Sequence, residues 1–365
     1  METPPLSQLY FYLTEGCNLA CRHCYLAPKF DPHGKKHPVL PFKLFKTAIS
    51  EALPLGLNGV KLSGGEPLLH PDILPMIEVL RQEELDLVME TNGILCSPKI
   101  AKAIAKLNNP FISVSLDGAD AETHDANRGV SGAFEKATAA IRSFADNGIQ
   151  LQVIMLIMQG NVGQIEAVIE LAEKLGASSV KFNMIQPTGR GKIIHNTCHG
   201  LGIKELLAIG KKIEADLCQQ TTLQLFYNYP AAFRSLRHIK FEDSCSVCSI
   251  FSILGVLPSG EYALCGMATH VEQFHFGWIG EDSLKKIWLE NQILQELREG
   301  LPEKLSGICS HCLMKHLCLG SCIAHNYYRA NSLWAPFWFC EEAQSAGLFP
   351  ESRLDFPLNK DEKMI

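Results

Sequence analysis

The chain has 365 residues, 47% of them hydrophobic, with fourteen cysteines and a formal net charge of −6. That length and apolar content can bury a large core without help from disulfides. The N-terminus carries no basic segment followed by an apolar stretch and a cleavage site, so the cysteines point to iron–sulfur or metal ligation rather than to secretion. The acidic balance gives no footprint for nucleic acid, and the longest apolar runs, such as Val153 to Met158 and Ile253 to Leu257, are too short to span a bilayer. The expectation is a soluble, cytoplasmic protein.

In chain order, Leu9 to Thr14 is a short apolar and aromatic run that reads as a first strand. The loop leaving it carries Cys17, Cys21 and Cys24 in the spacing C-x3-C-x2-C. Three thiolates close together can hold three irons of a [4Fe–4S] cluster and leave the fourth iron open to a substrate. A zinc loop is the competing reading, although zinc motifs usually supply four ligands, as pairs. Further strands are predicted at Gly59 to Ser63, Leu85 to Glu90, Phe111 to Leu116, Leu151 to Ile157 and Val180 to Ile185. Between them, Phe42 to Leu53, Pro71 to Glu83, Pro98 to Leu107, Ala133 to Asn147 and Val162 to Leu175 carry apolar residues at helical spacing. Six βα units with a parallel sheet follow, of doubly wound or barrel form. Gly202 to Gln219 reads as an amphipathic helix leaving that unit. Eight of the fourteen cysteines then fall between 245 and 340, marking a second, metal-organised domain. The expected division is 1–195 for the sheet domain, 196–240 for a helical bridge, 241–350 for the cysteine-rich domain and 351–365 for a frayed polar tail.

Three motifs stand at strand ends. Ser63-Gly64-Gly65-Glu66-Pro67 follows the second strand, where two glycines let the backbone approach a ligand and a carboxylate can accept from an ammonium group. Asn92 ends the third strand in Glu90-Thr91-Asn92-Gly93, and the fourth closes on Ser113-Val114-Ser115-Leu116-Asp117-Gly118, with His124-Asp125-Ala126-Asn127-Arg128-Gly129 after it. Together with the cysteine loop these segments resemble the radical S-adenosylmethionine (SAM) superfamily, in its peptide-modifying branch. The resemblance implies an α/β fold, a partial (β/α)6 TIM-like barrel with a C-terminal iron–sulfur SPASM domain, and covers roughly residues 9 to 345. It implies that Cys17, Cys21 and Cys24 hold the catalytic cluster, that Gly64, Gly65 and Glu66 hold the SAM amino group, that Asn92 lies near the cofactor, and that Ser115 and Arg128 contact its ribose or carboxylate. An arginine fork suits a carboxylate. One departure is His23, where most members have Tyr, Phe or Trp near the adenine.

Farther on, Gly260-x4-Cys265, Cys309-x2-Cys312-x5-Cys318-x3-Cys322 and Cys340, with Cys248 upstream, resemble the seven-cysteine SPASM pattern. Carried across, Cys245, Cys248, Cys265 and Cys322 would bind a first auxiliary [4Fe–4S] cluster, and Cys309, Cys312, Cys318 and Cys340 a second, giving three clusters in all. Cys96, Cys198 and Cys218 fit no cluster pattern and read as packing thiols. Leu254 to Leu264 reads as a hairpin.

The activity so implied is reductive cleavage of SAM to a 5′-deoxyadenosyl radical that takes hydrogen from an unactivated carbon. The favoured substrate is a ribosomally made precursor peptide, crosslinked or similarly modified, with a flavodoxin or ferredoxin as electron donor. A tetrapyrrole of a haem pathway is the alternative. Formylglycine-making maturases carry an aspartate directly after the cysteine of the Gly-x4-Cys element, and here Gly266 stands there, which counts against that activity. A non-catalytic iron–sulfur carrier has no reason to keep Gly64-Gly65-Glu66. Because the chain starts almost at its first strand, any leader-peptide-binding module is expected to be a separate protein; no nucleic acid or membrane partner is expected.

Overall fold

The computed structural model describes residues 4–197, 199–236, 239 and 248–355. Cys198 and Cys245 lie outside them. Ten strands form one sheet in the spatial order β10-β9-β8-β1-β2-β3-β4-β5-β6-β7. The strands are β1 (Gln8–Tyr12), β2 (Gly59–Ser63), β3 (Asp86–Thr91), β4 (Pro110–Ser115), β5 (Gln150–Ile157), β6 (Ser179–Met184), β7 (Gln224–Tyr227), β8 (Ile253–Val256), β9 (Glu261–Ala263) and β10 (His275–Trp278). From β8 through β1 to β7 every pairing is parallel. Parallel neighbours require crossovers, and α1 (Phe42–Ala52), α2 (Ile73–Gln82), α3 (Pro98–Ile104), α5 (Ala133–Asp146) and α6 (Ile165–Lys174) supply them where helical periodicity was seen. The fold is the partial, TIM-like barrel.

Alternation along the strands separates two faces. Leu62, Leu87, Met89, Ile112, Val114, Leu151, Val153 and Phe182 are fully buried beneath helices that bring Phe45, Met76, Leu80, Ile141 and Val168 to the same core. Each such side chain contributes about 1.5–3 kcal/mol by leaving water. The inner face is polar: Lys61, Glu90, Ser113, Ser115, Gln152 and Lys181 point to it in register. The strand ends, and therefore the loops after them, gather at one mouth.

Four features differ from expectation. A helix, α4 (Ala121–Arg128), occupies part of the His124 to Gly129 segment; Asp120 caps it by accepting from the Thr123 amide, and Gly129 ends it with a left-handed turn. Its mean composition is too polar to show a helical apolar stripe. A seventh parallel strand, β7, lies in the stretch assigned to a helical bridge, beside the helix Ile203–Ala215. Residues 351–355 are not loose: Leu313 N–H donates to Arg353 O, and Cys312 bridges to Leu354. The sheet itself crosses the anticipated domain boundary, since β8, which opens the Leu254 to Leu264 hairpin, pairs directly with β1. Among the described residues no helix is long and apolar enough to cross a membrane.

Candidate functional site

The loop after β1 is held by its own pairing and from two other strand ends. Residues Gly16–Cys17 pair with Lys29–Phe30, closing the loop on itself. From the end of α4, Arg128 O and Asn127 O accept from the Ala20 and Arg22 amides. From beyond β6, Arg190 donates Nε to Cys21 O at 2.8 Å and Nη1 to Pro28 O at 3.0 Å. Cys17 and Cys21 are buried and Cys24 is partly so. Burial, then the charge of Glu66 and of the other two cysteines, pushes the Cys17 thiol well up. Burial also raises Cys21, against the pull of Arg128. Donors are aimed at sulfur: the Leu19 amide (3.4 Å) and Asn92 Nδ2 (3.9 Å) at Cys17, and Arg128 Nη1 (3.7 Å) at Cys21.

Behind the loop lies Asp117, fully buried, a residue the motif reading passed over although it ends an apolar strand with a charge. Its Oδ2 pairs with Arg128 Nε at 2.8 Å and stands 3.4 Å from His23 Nε2. Its Oδ1 accepts from the Leu156 amide at 3.0 Å, and its own amide donates to His124 Nδ1 at 3.1 Å. Burial works to raise Asp117, but Arg128, His23 and His124 together hold it below the ordinary carboxylate range. Burial brings both His23 and His124 down to about 4, so both rings are neutral at pH 7. Arg128 was expected to meet the ribose or carboxylate of SAM; its guanidinium here is directed to Asp117 and Cys21, because a fully buried carboxylate needs a cationic partner.

The two glycines of the Gly-Gly-Glu element are required by chain packing. A Cβ on Gly65 would lie 1.8 Å from Gly16 O, and one on Gly64, at φ +122°, 2.9 Å from Leu13 N. Backbone of the cysteine loop thus rests directly on the end of β2. Glu66 accepts from the Leu68 amide (3.0 Å), Thr91 Oγ1 (2.6 Å) and the Asn92 amide (2.8 Å). A carboxylate has about four lone-pair sites, which leaves room for one more donor. Burial pushes it up to about 7, opposed by these hydrogen bonds. Asn92 donates to Asn18 Oδ1 at 2.7 Å as well as facing Cys17, so it belongs to the cysteine loop rather than to a plain Asn-Gly turn. Ser115 ends β4 on the inner face.

The second cysteine field separates into two groups. Cys309, Cys312, Cys318 and Cys340 line one small cavity with Ala232, Leu305, Ile308 and Phe349. Cys340 donates to Cys309, which lowers Cys309 and raises Cys340 further than burial would; burial pushes Cys318 up to about 12. Cys248, Cys265 and Cys322 form the other group: burial first, then the charge of Cys322 and Cys265, raises Cys248, and burial and Cys322 push Cys265 up to about 12. Their proposed fourth member, Cys245, lies outside the described residues. Among those residues no three His, Cys, Asp or Glu side chains converge closely enough to hold one metal ion. The donor sets fit clusters: buried soft sulfur, with amide and guanidinium groups directed at it at the first site. Gly266, directly after Cys265, has no room for a side chain, since a Cβ would come within 2.3 Å of the Tyr12 ring. Cys96 is half-buried, and Cys218 donates to Glu214 O at 2.9 Å.

Between the Gly64-Gly65 turn and the β8–β9 hairpin lies a cavity of about 390 Å³, lined in part by Tyr12, Thr14, Leu257 and Glu261.

Comparison with known proteins agrees with this arrangement. The radical SAM superfamily profile matches residues 11–172, and that of SPASM, an iron–sulfur cluster-binding domain, matches residues 245–313. The chain is 29% identical over 342 residues to an AdoMet-dependent heme synthase of Methanosarcina barkeri, covering 86% of this chain and 90% of that one. It is 25% identical over 339 residues to the mycofactocin maturase MftC of Mycobacterium tuberculosis, covering 92% and 83%. Its fold resembles Streptococcus suis SuiB bound to precursor peptide SuiA, with a TM-score of 0.73 at 17% identity over 93% of this chain and 76% of that one. It likewise resembles anSMEcpe with bound AdoMet and a Cp18Cys peptide, at 0.71 and 18% over 93% and 95%. The chain carries a radical SAM domain followed by an SPASM iron–sulfur domain; it is an enzyme, and these domains imply iron–sulfur clusters and SAM as its cofactors.

Proposed function

We propose that this enzyme modifies a ribosomally made precursor peptide, by taking a hydrogen atom from one of its carbons and closing a crosslink or related bond. Bound together, the first cluster and SAM supply a carbon radical strong enough for that abstraction. In this reading Cys17, Cys21 and Cys24 hold the cluster that meets SAM. Cys245, Cys248, Cys265 and Cys322 would hold a second cluster, and Cys309, Cys312, Cys318 and Cys340 a third. Gly64, Gly65, Glu66, Asn92, Ser115 and Arg128 line the SAM side. Asn92 and Arg128 direct donors at sulfur, and His23 and Asp117 lie buried behind the loop. A flavodoxin or ferredoxin would deliver electrons, and a separate protein would present a leader peptide.

The observation that carries the reading is the cavity of about 390 Å³ beside Gly64 and Gly65, walled on its far side by the hairpin that leads to Cys265. A substrate there would lie against Gly64 and Gly65 on one side and against the turn of that hairpin on the other. Similarity to a peptide maturase over 92% of the chain supports the peptide. A second reading, a tetrapyrrole, is favoured by the higher identity to the heme synthase. The test is isotopic. Reduced, reconstituted enzyme is given SAM and a deuterated peptide encoded beside its gene, or deuterated coproporphyrin. Deuterium in 5′-deoxyadenosine from the peptide, with a changed peptide mass, is the expected result; deuterium arriving only from the porphyrin would overturn the peptide reading.

A further inference from the structure

Five titratable side chains line the cavity beside Gly64 and Gly65: Tyr12, Glu15, Lys29, Glu261 and His275. Four of them are unsuited to take a proton from a substrate. Burial pushes the Tyr12 phenol well above its ordinary range, so it stays neutral. Glu15 and Lys29 face each other at 3.4 Å in an exposed ion pair. The His275 ring has both nitrogens engaged, Nδ1 with Glu261 Oε1 at 3.0 Å and Nε2 with Ala268 O at 2.9 Å. Glu261 differs. Its side chain is only 19% exposed, Ser259 Oγ donates to its Oε2 at 2.7 Å, and His275 holds its Oε1. A carboxylate offers about four lone-pair sites, so these two partners fix its orientation and leave capacity for a donor from the cavity. The fold aims it there. Phe11 pairs with Val256, so the turn after β8 stands level with Tyr12, where the cysteine loop begins. Tyr262, next along β9, turns to the helices and donates to Glu51 Oε2 at 2.8 Å. Strand alternation sends Glu261 the other way, to the cavity wall. Cys265 follows four residues later on the same hairpin.

We propose that Glu261 is the catalytic proton acceptor for the bond-forming half of the reaction, with Ser259 and His275 as its positioning residues. This rests on the reading that a peptide is crosslinked in this cavity. Closing a bond between a carbon and a second side-chain group X–H removes two hydrogens in different forms. The first leaves the carbon as a hydrogen atom and goes to the 5′-deoxyadenosyl radical. When the carbon radical joins X, the C–X bond forms and the X–H bond breaks. Its proton passes to a Glu261 oxygen. The remaining electron passes to an iron–sulfur cluster, the class of oxidant that Cys265 and its neighbours would hold. Glu261 changes from carboxylate to carboxylic acid and returns the proton to water at the open side of the cavity, so atoms and charge balance over the cycle.

The test uses reconstituted holoenzyme, SAM and the deuterated peptide encoded beside its gene. Three quantities are followed in parallel: deuterium in 5′-deoxyadenosine, product by mass spectrometry, and peptide affinity by calorimetry. A positioned proton acceptor contributes about 10²–10⁴-fold, so Glu261→Gln should lower product formation by about 100-fold or more. Deuterium transfer and peptide affinity should change little, a split that a merely structural role would not produce. If the glutamine variant loses iron or its native circular dichroism, Glu261→Ala with added formate carries the test: product that returns with formate supports the assignment, and none returning overturns it. Product formed at the native rate by a folded Glu261→Gln enzyme overturns the proposal and leaves the peptide reading intact. Product and deuterium transfer falling together, in step with weaker peptide binding, would make Glu261 a binding group and equally overturn it. No deuterium transfer from the peptide by the native enzyme overturns the peptide reading itself, and the proposal with it.

Discussion

The first cysteine site and the cavity of Cys309, Cys312, Cys318 and Cys340 hold sulfur by opposite means. Around Cys17 and Cys21 the surroundings are charged and hydrogen-bonded: Arg128, Asp117, Asn92 and neutral His23 stand within one or two contacts of sulfur. Around the other four thiols the lining is mostly apolar, from Ala232, Leu305, Ile308 and Phe349, with Lys315 the charged member. A low-dielectric shell favours a cluster that stays fully ligated and exchanges only electrons, whereas dipoles and charges near an open position favour a site where ligands come and go. The contrast teaches that the two groups of thiols differ in the field around them and not in their number alone.

The comparison breaks most visibly if the sites are emptied one at a time. Replacing Cys17, Cys21 and Cys24 together by alanine should remove about four of roughly twelve irons and all 5′-deoxyadenosine. Cys309→Ala with Cys340→Ala should remove a similar share of iron yet leave SAM cleavage largely intact while product disappears. Iron analysis and chromatography of the nucleoside give the answer. Equal loss of 5′-deoxyadenosine in both variants of comparable folding would mean that the two sites are not independent.

A smaller effect probes the charged surroundings alone. Asp117→Asn leaves Arg128 buried beside Cys21 without its counter-charge, which costs about 3–5 kcal/mol when one partner of a buried pair is removed. Denaturant titration measures that loss, and a potentiometric titration followed by electron paramagnetic resonance should show the first cluster moving to a more positive potential. An unchanged potential would place Asp117 among purely structural residues. Smaller again is a pH effect at Glu66, whose folded value of about 7 stands above its ordinary 4.5. Between those values the folded chain binds more protons than the unfolded one, so stability falls as pH rises from 4.5 through 7, by roughly 2–3 kcal/mol. Glu66→Gln should flatten that slope in urea titrations of the cluster-free protein. A slope as steep as that of the native chain would locate the titration elsewhere.

The strands β1 to β6 were legible because parallel, doubly covered strands are apolar enough to stand out, and their helices carry a clean periodicity. The proximity of Cys309, Cys312, Cys318 and Cys340, and of Cys248, Cys265 and Cys322, was legible through family resemblance, while Cys245 lies outside the described residues. What stayed hidden has physical causes. Helix α4 is polar and is set by its cap, Asp120, and its left-handed end at Gly129. Strand β7 is four residues long, too short for a pattern. Asp117 acts through contacts with Arg128, Leu156 and His23, 11, 39 and 94 residues away, and Arg190 through Cys21, 169 residues away, and no local spacing records those. The Gly64-Gly65 pair was noticed for a ligand, but its tightest contact, with Gly16, is between two stretches of chain and can be found only in three dimensions.

The pairing of β8 with β1 has a consequence for how the molecule is made. During synthesis β1 appears first, and one side of its ladder finds β2 about fifty residues later. Its other side waits for β8, about 240 residues behind. At translation rates of about 5–20 residues per second, that edge stays bare for roughly 10–50 s. An unpaired apolar edge is a template for pairing with a neighbouring chain. Long-range parallel pairing of this kind also forms slowly, so the nascent barrel remains open to chaperones, and to cluster delivery at the Cys17 loop, until its last partner strand arrives.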